Sequence, residues 1–291
     1  MKGIETTNLT KYYGKARGIV DLTFAVEEGA FFGFIGPNGA GKSTAIRTLL
    51  GLIAPTSGSA MVLGKPLSCA TDYLSQVGYM PSEAMFYGRM RVGDLLSYSA
   101  KLRHMDCTEE ANVLCETLHL DRSKHIEELS LGNRKKVSIV CALQHKPKLY
   151  ILDEPTSGLD PLIQKAFFDL LKERNREGAT VFFSSHVLSE VQHNCTQAAI
   201  IRAGRLVTVD SIENLSRSNA KRVTLQGITA LPTSIAAKSV RTLGNSVSFL
   251  YQGEIKPLLA ELHRLPITDM TVTEPELEEI FLHYYEKGEE E

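Results

Sequence analysis

The chain has 291 residues, of which 43% are hydrophobic and 23% are charged, and these values are typical of a globular protein. A formal net charge of −2 gives no reason to expect a nucleic-acid partner held by bulk positive charge. No apolar run approaches the roughly 20 residues that span a bilayer, no signal peptide is expected, and cysteines without C-x-x-C spacing indicate free thiols in a reducing compartment.

The first half of the chain alternates strand-like and helix-like segments, which predicts an α/β core with a mainly parallel sheet. The predicted buried strands are the apolar runs at 30–35, 149–152 and 179–183. Predicted helices lie at 44–50 and 162–176.

A glycine-rich loop joins the first of these strands to the first helix. The run Gly36-Pro-Asn-Gly-Ala-Gly-Lys-Ser43 matches the phosphate-binding pattern G-x-x-x-x-G-K-[ST] in the strand–helix context that the pattern requires. Glycines let backbone N–H groups turn towards a phosphate, and the helix start adds its positive dipole end. We expect Lys42 to reach the β- and γ-phosphates and the Ser43 hydroxyl to ligate Mg²⁺. The nucleotide-binding candidates here are Gly36, Asn38, Gly39, Gly41, Lys42, Ser43 and Thr44.

The strand signal disappears between about residues 82 and 146, which predicts a helical insertion in the α/β core. Its predicted helices are 92–103, 109–119 and 131–145. Two of its features have ordinary interpretations. The histidines and cysteines at 104, 107, 115 and 119 resemble a loose metal site but are expected to be plain residues of the insertion. The basic run Arg134-Lys-Lys136 is expected to form a solvated helix face.

Two acidic residues, Asp153 and Glu154, end the second predicted strand, at the edge of the sheet where ligands of α/β proteins bind. Asp153 is expected to hold the Mg²⁺ shell, and Glu154 is expected to act as general base on the attacking water. The alternative is an acidic pair that caps the next segment. The phosphate loop upstream favours the catalytic interpretation.

The character of the sequence changes again after about residue 215. Short β-type runs and a helical pattern at 254–264 predict a small α+β accessory domain over 220–291, following a main domain over 1–215. The polar stretch 216–219 is the predicted linker. An amphipathic helix is predicted last, with Leu277, Ile280, Phe281 and Tyr284 on one face.

Three further motifs complete a larger pattern. The run Leu129-Ser-Leu-Gly-Asn133 opens the helix before the second strand, Ser157-Gly-Leu-Asp160 follows Glu154, and His186 ends the third strand. Together with the phosphate loop, their order and spacing resemble the ATP-binding cassette (ABC) ATPases over about residues 1–215. The resemblance implies a P-loop NTPase cassette with N-terminal antiparallel strands, and ATP and Mg²⁺ as the bound groups.

The resemblance also implies roles for the run at 129–133 and the run at 157–160. Ser130 and Gly132 look like the family's signature loop, which binds the γ-phosphate of ATP held by the opposite subunit. Asp160 is expected to help couple the two sites of a cassette dimer. Leu131 and Asn133 depart from the fuller L-S-G-G-Q signature.

Three other positions carry family roles. His186 is expected to hydrogen-bond the γ-phosphate and orient the water. Tyr13 is expected to stack on adenine, with its neighbour Tyr12 as the alternative. Where the family usually has a glutamine that touches Mg²⁺, this chain has Ser82, followed by Glu83, so Ser82 is the third expected metal ligand.

Family features also suggest the biological setting. One cassette without a membrane span predicts separate membrane-spanning subunits, a second cassette, and a place at the cytoplasmic face of the membrane. The loop at 77–81, the signature and the C-terminal extension look like bacterial exporters of drugs, antimicrobial peptides and similar amphipathic compounds. Residues 84–88 are the candidate docking wall for the membrane partner, unless Met85 and Phe86 belong to the core of the insertion. The alternatives are an importer ATPase, or a cassette that acts on ribosomes or DNA.

Overall fold

The computed structural model describes residues 1–83, 85–216, 220–232, 234–263 and 265–273. The chain divides into two compact units, Met1–Asp210 and Ser211–Glu291. The domain limits expected from the sequence, 1–215 and 220–291, stay a prediction. Within the described ranges, no helix combines the length and apolar character needed to cross a membrane.

A six-stranded sheet lies at the centre of the first unit. In spatial order its strands are β10 (Arg205–Ser211), β9 (Gln197–Arg202), β3 (Phe31–Ile35), β8 (Thr180–Ser185), β7 (Leu149–Asp153) and β6 (Val77–Met80). The pairs β9–β3, β3–β8, β8–β7 and β7–β6 are parallel. β3, β7 and β8 are buried along their whole length, which explains their continuous apolar sequences. The predicted mainly parallel core is confirmed.

A second, antiparallel sheet is formed by the N-terminal part of the chain, as predicted. Its strands, in spatial order, are β2 (Ala16–Glu27), β1 (Lys2–Tyr13), β4 (Ser57–Val62) and β5 (Lys65–Pro66). Phe24 packs this sheet against the central one, because its ring centroid lies 5.7 Å from that of Phe34 and 6.2 Å from that of Phe182. The β1–β2 hairpin is therefore fixed relative to the carboxyl ends of the central strands.

The helices of the first unit include those of the predicted insertion. In chain order they are α1 (Lys42–Leu49), α2 (Thr71–Leu74), α3 (Val92–Lys101), α4 (Thr108–Thr117), α5 (Leu131–Leu143), α6 (Pro161–Arg176) and α7 (Leu188–Asn194). α3, α4 and α5 occupy the insertion between β6 and β7. Cys107 and Cys115 are buried free thiols there. Among the described residues, no group of three or more His, Cys, Asp or Glu side chains could hold a metal ion.

The second unit is a small α+β structure, as the sequence predicts. It begins with α8 (Ile212–Ser216), and its antiparallel sheet has the spatial order β12 (Ala237–Leu243), β13 (Ser246–Gln252), β11 (Ala220–Gln226) and β14 (Asp269–Thr273). The helix α9 (Ile255–Leu262) contributes Leu258 and Leu262 to a core that includes Val223 and Phe249. The predicted helix at 277–284 and residues 217–219 of the predicted linker lie outside the described part of the chain.

Candidate functional site

The glycine-rich loop connects β3 to α1 at the carboxyl edge of the central sheet. At two of its glycines another chain segment passes too close for any side chain. A Cβ at Gly36 would lie 2.3 Å from the Ile201 carbonyl oxygen, and one at Gly41 would lie 2.7 Å from that of Gly18. Gly41 also has a φ of 105° at the start of α1, a conformation that L-residues with side chains rarely adopt.

This loop forms one wall of a cavity of about 320 Å³. The other wall comes from the β1–β2 hairpin, from the loop that follows β6, and from the end of β7. The lining residues are Tyr13, Arg17, Gly18, Pro37, Asn38, Gly39, Ala40, Gly41, Lys42, Ser43, Thr44, Ser82 and Glu154. The fold therefore gathers most of the predicted site residues in one place, and Gly36 joins them through its carbonyl oxygen.

Lys42 and Glu154 form an ion pair in this cavity, and the exposed side chain of His186 contacts Glu154. The Lys42 ammonium is buried, donates to the Gly36 carbonyl oxygen at 2.5 Å, and lies 3.0 Å from Oε1 of Glu154. The other carboxylate oxygen of Glu154, Oε2, lies 2.8 Å from Nδ1 of His186. The two residues predicted to be catalytic, Glu154 and His186, are thus in direct contact, beside the lysine of the phosphate loop.

The backbone of Glu154 has an uncommon conformation. Its φ is 48°, in the left-handed region that few residues other than glycine occupy. The Glu154 N–H donates to the Ser184 hydroxyl at 3.0 Å, so the neighbouring strand β8 holds this conformation in place. Such strain is concentrated at functional positions in proteins.

Asp153 is almost completely buried, with 1% of its surface exposed. The Ser184 hydroxyl donates to its Oδ1 at 2.7 Å, whereas Oδ2 is buried without a hydrogen-bond partner among the described residues. A buried carboxylate oxygen without a partner is costly, and oxygen ligands are what Mg²⁺ prefers. Asp153 Oδ2 and the Ser43 hydroxyl at the start of α1 therefore fit a divalent cation.

The signature residues are placed elsewhere. Ser130 caps α5 by accepting from the Asn133 N–H at 3.3 Å, and Leu131 is 75% exposed. A Cβ at Gly132 would lie 3.1 Å from the Gly158 carbonyl oxygen, so these two motifs touch each other. We call Ser130, Leu131, Gly132 and Gly158 the signature surface. Asp160, two residues on, caps α6 by accepting from the Ile163 N–H at 3.0 Å. None of these residues lines the cavity.

The aromatic choice left open by the sequence is between two neighbours on β1. Tyr13 lines the cavity and Tyr12 does not. The Lys11 ammonium lies 5.5 Å from the centroid of the Tyr13 ring, which covers one face of the ring with a cation. This placement supports Tyr13 as the residue that would stack on a base.

Sequence reasoning missed four residues around the cavity. Arg17 and Gly18 line it because the β1–β2 hairpin folds over the phosphate loop, and Ser184 supports both Asp153 and Glu154. The expectation of a solvated basic face on α5 is wrong for Lys135, which is only 5% exposed and donates to the Ser82 carbonyl oxygen at 2.8 Å. Neither the residues 16–18 of the hairpin nor the basic run on α5 follows a pattern from which these contacts could be predicted.

The candidate docking wall is partly described. Ala84 lies outside the described residues, and Met85 and Tyr87 are 95% and 71% exposed. Met85 is therefore not a core residue of the insertion.

Comparison with known proteins gives the family. The ABC transporter family model matches residues 19–157. The bacitracin transport ATP-binding protein BcrA of Bacillus licheniformis is 36% identical over 77% of this chain and 74% of its own length. The linearmycin resistance ATP-binding protein LnrL of Bacillus subtilis is 30% identical over 96% of this chain and 97% of its own length.

The same result comes from solved structures. An ATP-binding subunit of an ABC transporter superposes with a TM-score of 0.70 and 30% identity, over 74% of this chain and 92% of the other. The range matched by the family model, residues 19–157, contains the phosphate loop and the carboxylate pair described above. The chain therefore belongs to the ABC transporter family, as an ATP-binding and ATP-hydrolysing cassette subunit.

Proposed function

We propose that this cassette hydrolyses Mg²⁺-ATP at an interface with a second cassette, and that the cycle of closure and reopening drives export through separate membrane-spanning subunits. One observation carries the catalytic part. The Glu154 carboxylate is held between the Lys42 ammonium and the His186 ring, in a cavity walled by the phosphate loop.

The contacts of Glu154 suggest how ATP prepares the site for hydrolysis. The Lys42 ammonium is paired with Oε1 of Glu154 at 3.0 Å. A triphosphate bound in the loop offers Lys42 a stronger anionic partner, so the lysine turns to the β- and γ-phosphates. Glu154 is then free to accept a proton from the attacking water as general base. His186 remains in reach of Glu154 and holds the water and γ-phosphate in orientation.

The metal ligands in this proposal are Asp153, Ser43 and Ser82. When bound, Mg²⁺ neutralises charge on the β- and γ-phosphate oxygens. Asp153 supplies its unpartnered Oδ2, and Ser184 keeps that carboxylate oriented through Oδ1. Ser43 and Ser82 both line the cavity and supply hydroxyl oxygens.

The placement of the signature surface supports a dimer. Ser130 and Gly132 do not line the cavity of their own chain, yet they offer a hydroxyl and the first backbone N–H groups of α5. A helix start of this kind suits an anion. We propose that they bind the γ-phosphate held by a second copy of this chain, and that Asp160 couples the two sites.

The export part rests on the relatives. BcrA is named for bacitracin transport and LnrL for linearmycin resistance. We propose that this chain also energises export of a peptide, drug or similar amphipathic compound, from the cytoplasmic face of the membrane. The exposed Met85 and Tyr87 are suited to contact a helix of the membrane partner.

The catalytic proposal is tested with Glu154→Gln, which keeps the shape of the side chain but removes the base. We expect ATP to bind, turnover to fall by roughly 100- to 10,000-fold, and an ATP-bound dimer to accumulate. Steady-state hydrolysis, nucleotide binding and light scattering measure the three effects. Glu28→Gln, at an exposed position away from the cavity, is the matched control. Hydrolysis by Glu154→Gln at the wild-type rate would overturn the base assignment.

The transport proposal is tested by purifying the tagged chain from native membranes in mild detergent. We expect a polytopic membrane protein to co-purify in stoichiometric amount. Ribosomal or DNA-repair proteins in its place would overturn the export assignment and leave the ATPase assignment standing.

A further inference from the structure

Lys135 is a buried lysine on α5, the helix that begins at the signature surface. It is 5% exposed, whereas its neighbours Arg134 and Lys136 are only partly buried. Its ammonium donates to the Ser82 carbonyl oxygen at 2.8 Å, across 53 residues of chain. Lys135 therefore joins the signature helix to the loop that lines the nucleotide cavity.

The surroundings of Lys135 show that this contact has an energetic cost. Burial lowers the pKa of Lys135, and the carboxylates of Asp153, Glu154 and Glu83 oppose that shift. A buried ammonium is expensive unless it is paired and hydrogen-bonded. A methionine of similar length would fill the same space without that cost. The presence of a lysine at this position is therefore better explained by the hydrogen bond that its ammonium donates to the Ser82 carbonyl oxygen.

The loop held by Lys135 departs from the family pattern. It has Ser82 in place of the usual glutamine, and the shorter serine has less reach towards a bound nucleotide. Ser82 lines the cavity, and its carbonyl oxygen is the acceptor for Lys135. A short ligand needs its backbone to be fixed close to the site, which a buried hydrogen bond provides.

We propose that Lys135 is a positioning residue that fixes the backbone of Ser82 at the nucleotide cavity and transmits displacement of α5 to it. Ser130 caps the first turn of the same helix. Engagement of Ser130 with the nucleotide of a second cassette then moves Ser82 together with α5, since a helix shifts as a rigid body. Binding across the dimer is coupled in this way to the geometry of hydrolysis. This inference rests on the proposed function.

The test compares three substitutions at one position. Lys135→Met removes the donor, Lys135→Gln keeps a donor without charge, and Lys135→Arg keeps both. We expect Lys135→Met to lower turnover about 10- to 100-fold with ATP affinity changed less than about threefold, because Lys135 does not line the cavity. Gln and Arg should restore most of the turnover. Lys136→Met, one residue further along α5, is the matched control and should turn over like the wild type.

Three further measurements separate positioning from general damage and from simple charge removal. Loss of a positive charge beside Asp153 and Glu154 would tighten Mg²⁺ binding, whereas loss of Ser82 positioning should raise the Mg²⁺ concentration for half-maximal turnover. In a Glu154→Gln background, Lys135→Met should also lower the amount of ATP-bound dimer seen by light scattering. The melting temperature of Lys135→Met should change little, because removal of a buried charge offsets the lost hydrogen bond to Ser82.

Three results would overturn the inference: wild-type turnover in Lys135→Met, equal losses of affinity and turnover, or tighter Mg²⁺ binding. None of them touches the proposed function, which depends on hydrolysis by the wild-type chain and its loss in Glu154→Gln.

Discussion

The nucleotide cavity and the signature surface are built in opposite ways. In the cavity, Lys42 and Glu154 form an ion pair within the chain, and Glu154 also contacts the His186 ring. On the signature surface, Ser130 makes its hydrogen bond to the start of its own helix, and Leu131 projects with 75% of its surface exposed. The ionic side chains of the cavity are paired with each other, whereas the signature surface presents an exposed side chain to its surroundings.

This difference should divide substitutions into two classes. Removal of Lys42 breaks the paired set of Lys42 and Glu154 and leaves the carboxylate uncompensated, so ATP binding by the isolated chain should suffer. A change on the signature surface leaves that set intact. It should spare binding by the isolated chain and reduce only the steps that require a second cassette.

The largest expected effect is that of Lys42→Ala. The substitution removes the cation that the triphosphate needs and leaves the Glu154 carboxylate in the cavity, where it repels phosphate. We expect ATP affinity to fall by about 100-fold or more, which corresponds to roughly 3 kcal/mol. Isothermal titration calorimetry measures it, with Lys65→Ala, an exposed lysine on β5, as the control. Unchanged affinity would show that Lys42 is not a phosphate ligand.

The next effect concerns the signature surface. Asp and Asn cap helices about as well as Ser, so Ser130→Asp and Ser130→Asn should both preserve the start of α5. Only the aspartate places a negative charge against the partner's γ-phosphate. We expect Ser130→Asp to lower turnover at least about tenfold more than Ser130→Asn, through roughly 1.4 kcal/mol or more of repulsion. ATP affinity of the isolated chain should be the same in both. Equal turnover in the two variants would show that the signature surface does not contact the γ-phosphate held by the partner.

A smaller effect is expected at the base end of the cavity. A Cβ at Gly18 would lie 2.8 Å from the Lys11 carbonyl oxygen, 2.9 Å from Cγ2 of Thr44 and 3.1 Å from Cε2 of Tyr13, so Gly18→Ala must shift the β1–β2 pairing that carries the aromatic ring. Stacking on an aromatic ring is worth about 1–3 kcal/mol per base, and partial loss should weaken ATP binding about fivefold.

The control for Gly18→Ala is Gly14→Asn in the same hairpin. Gly14 has a φ of 60°, which Asn tolerates, and a Cβ there would meet nothing within 4 Å. Inorganic tripolyphosphate should bind Gly18→Ala almost as well as it binds the wild type. If tripolyphosphate binding falls as much as ATP binding, the damage is to the phosphate loop rather than to the base platform.

The sequence could predict those parts of the site whose residues are adjacent along the chain. The phosphate loop and the pair Asp153–Glu154 are such motifs, so their chemistry can be recognised from the order of the residues alone. Lys135 lies in a run of three basic residues, and nothing local distinguishes the one that α5 turns inwards. Gly18 reaches the cavity only because packing around Phe24 fixes the hairpin against the central strands. Contacts that depend on tertiary packing, rather than on spacing along the chain, were the ones missed.

The smallest expected effect is at His145, which is remote from both surfaces. Burial, with Arg103 as a second cause, lowers the pKa of this histidine to about 4, and its Nε2 lies 3.2 Å from the Val77 carbonyl oxygen. The unfolded chain protonates its histidine near the ordinary pKa of about 6.5. The folded chain resists protonation, so stability is complete above that pH and is lost as the pH falls towards 4.

His145→Gln keeps a donor for Val77 but does not titrate. Between about pH 7.5 and pH 6, the free energy of unfolding of the variant should gain about 1 kcal/mol relative to the wild type. Urea denaturation at the two pH values measures this double difference, in which the titration of all other groups cancels. ATP affinity and turnover at neutral pH should not change. A fall in turnover would mean that the start of β6 influences Ser82 at its other end, and the cavity would then be less self-contained than its internal ion pairs indicate.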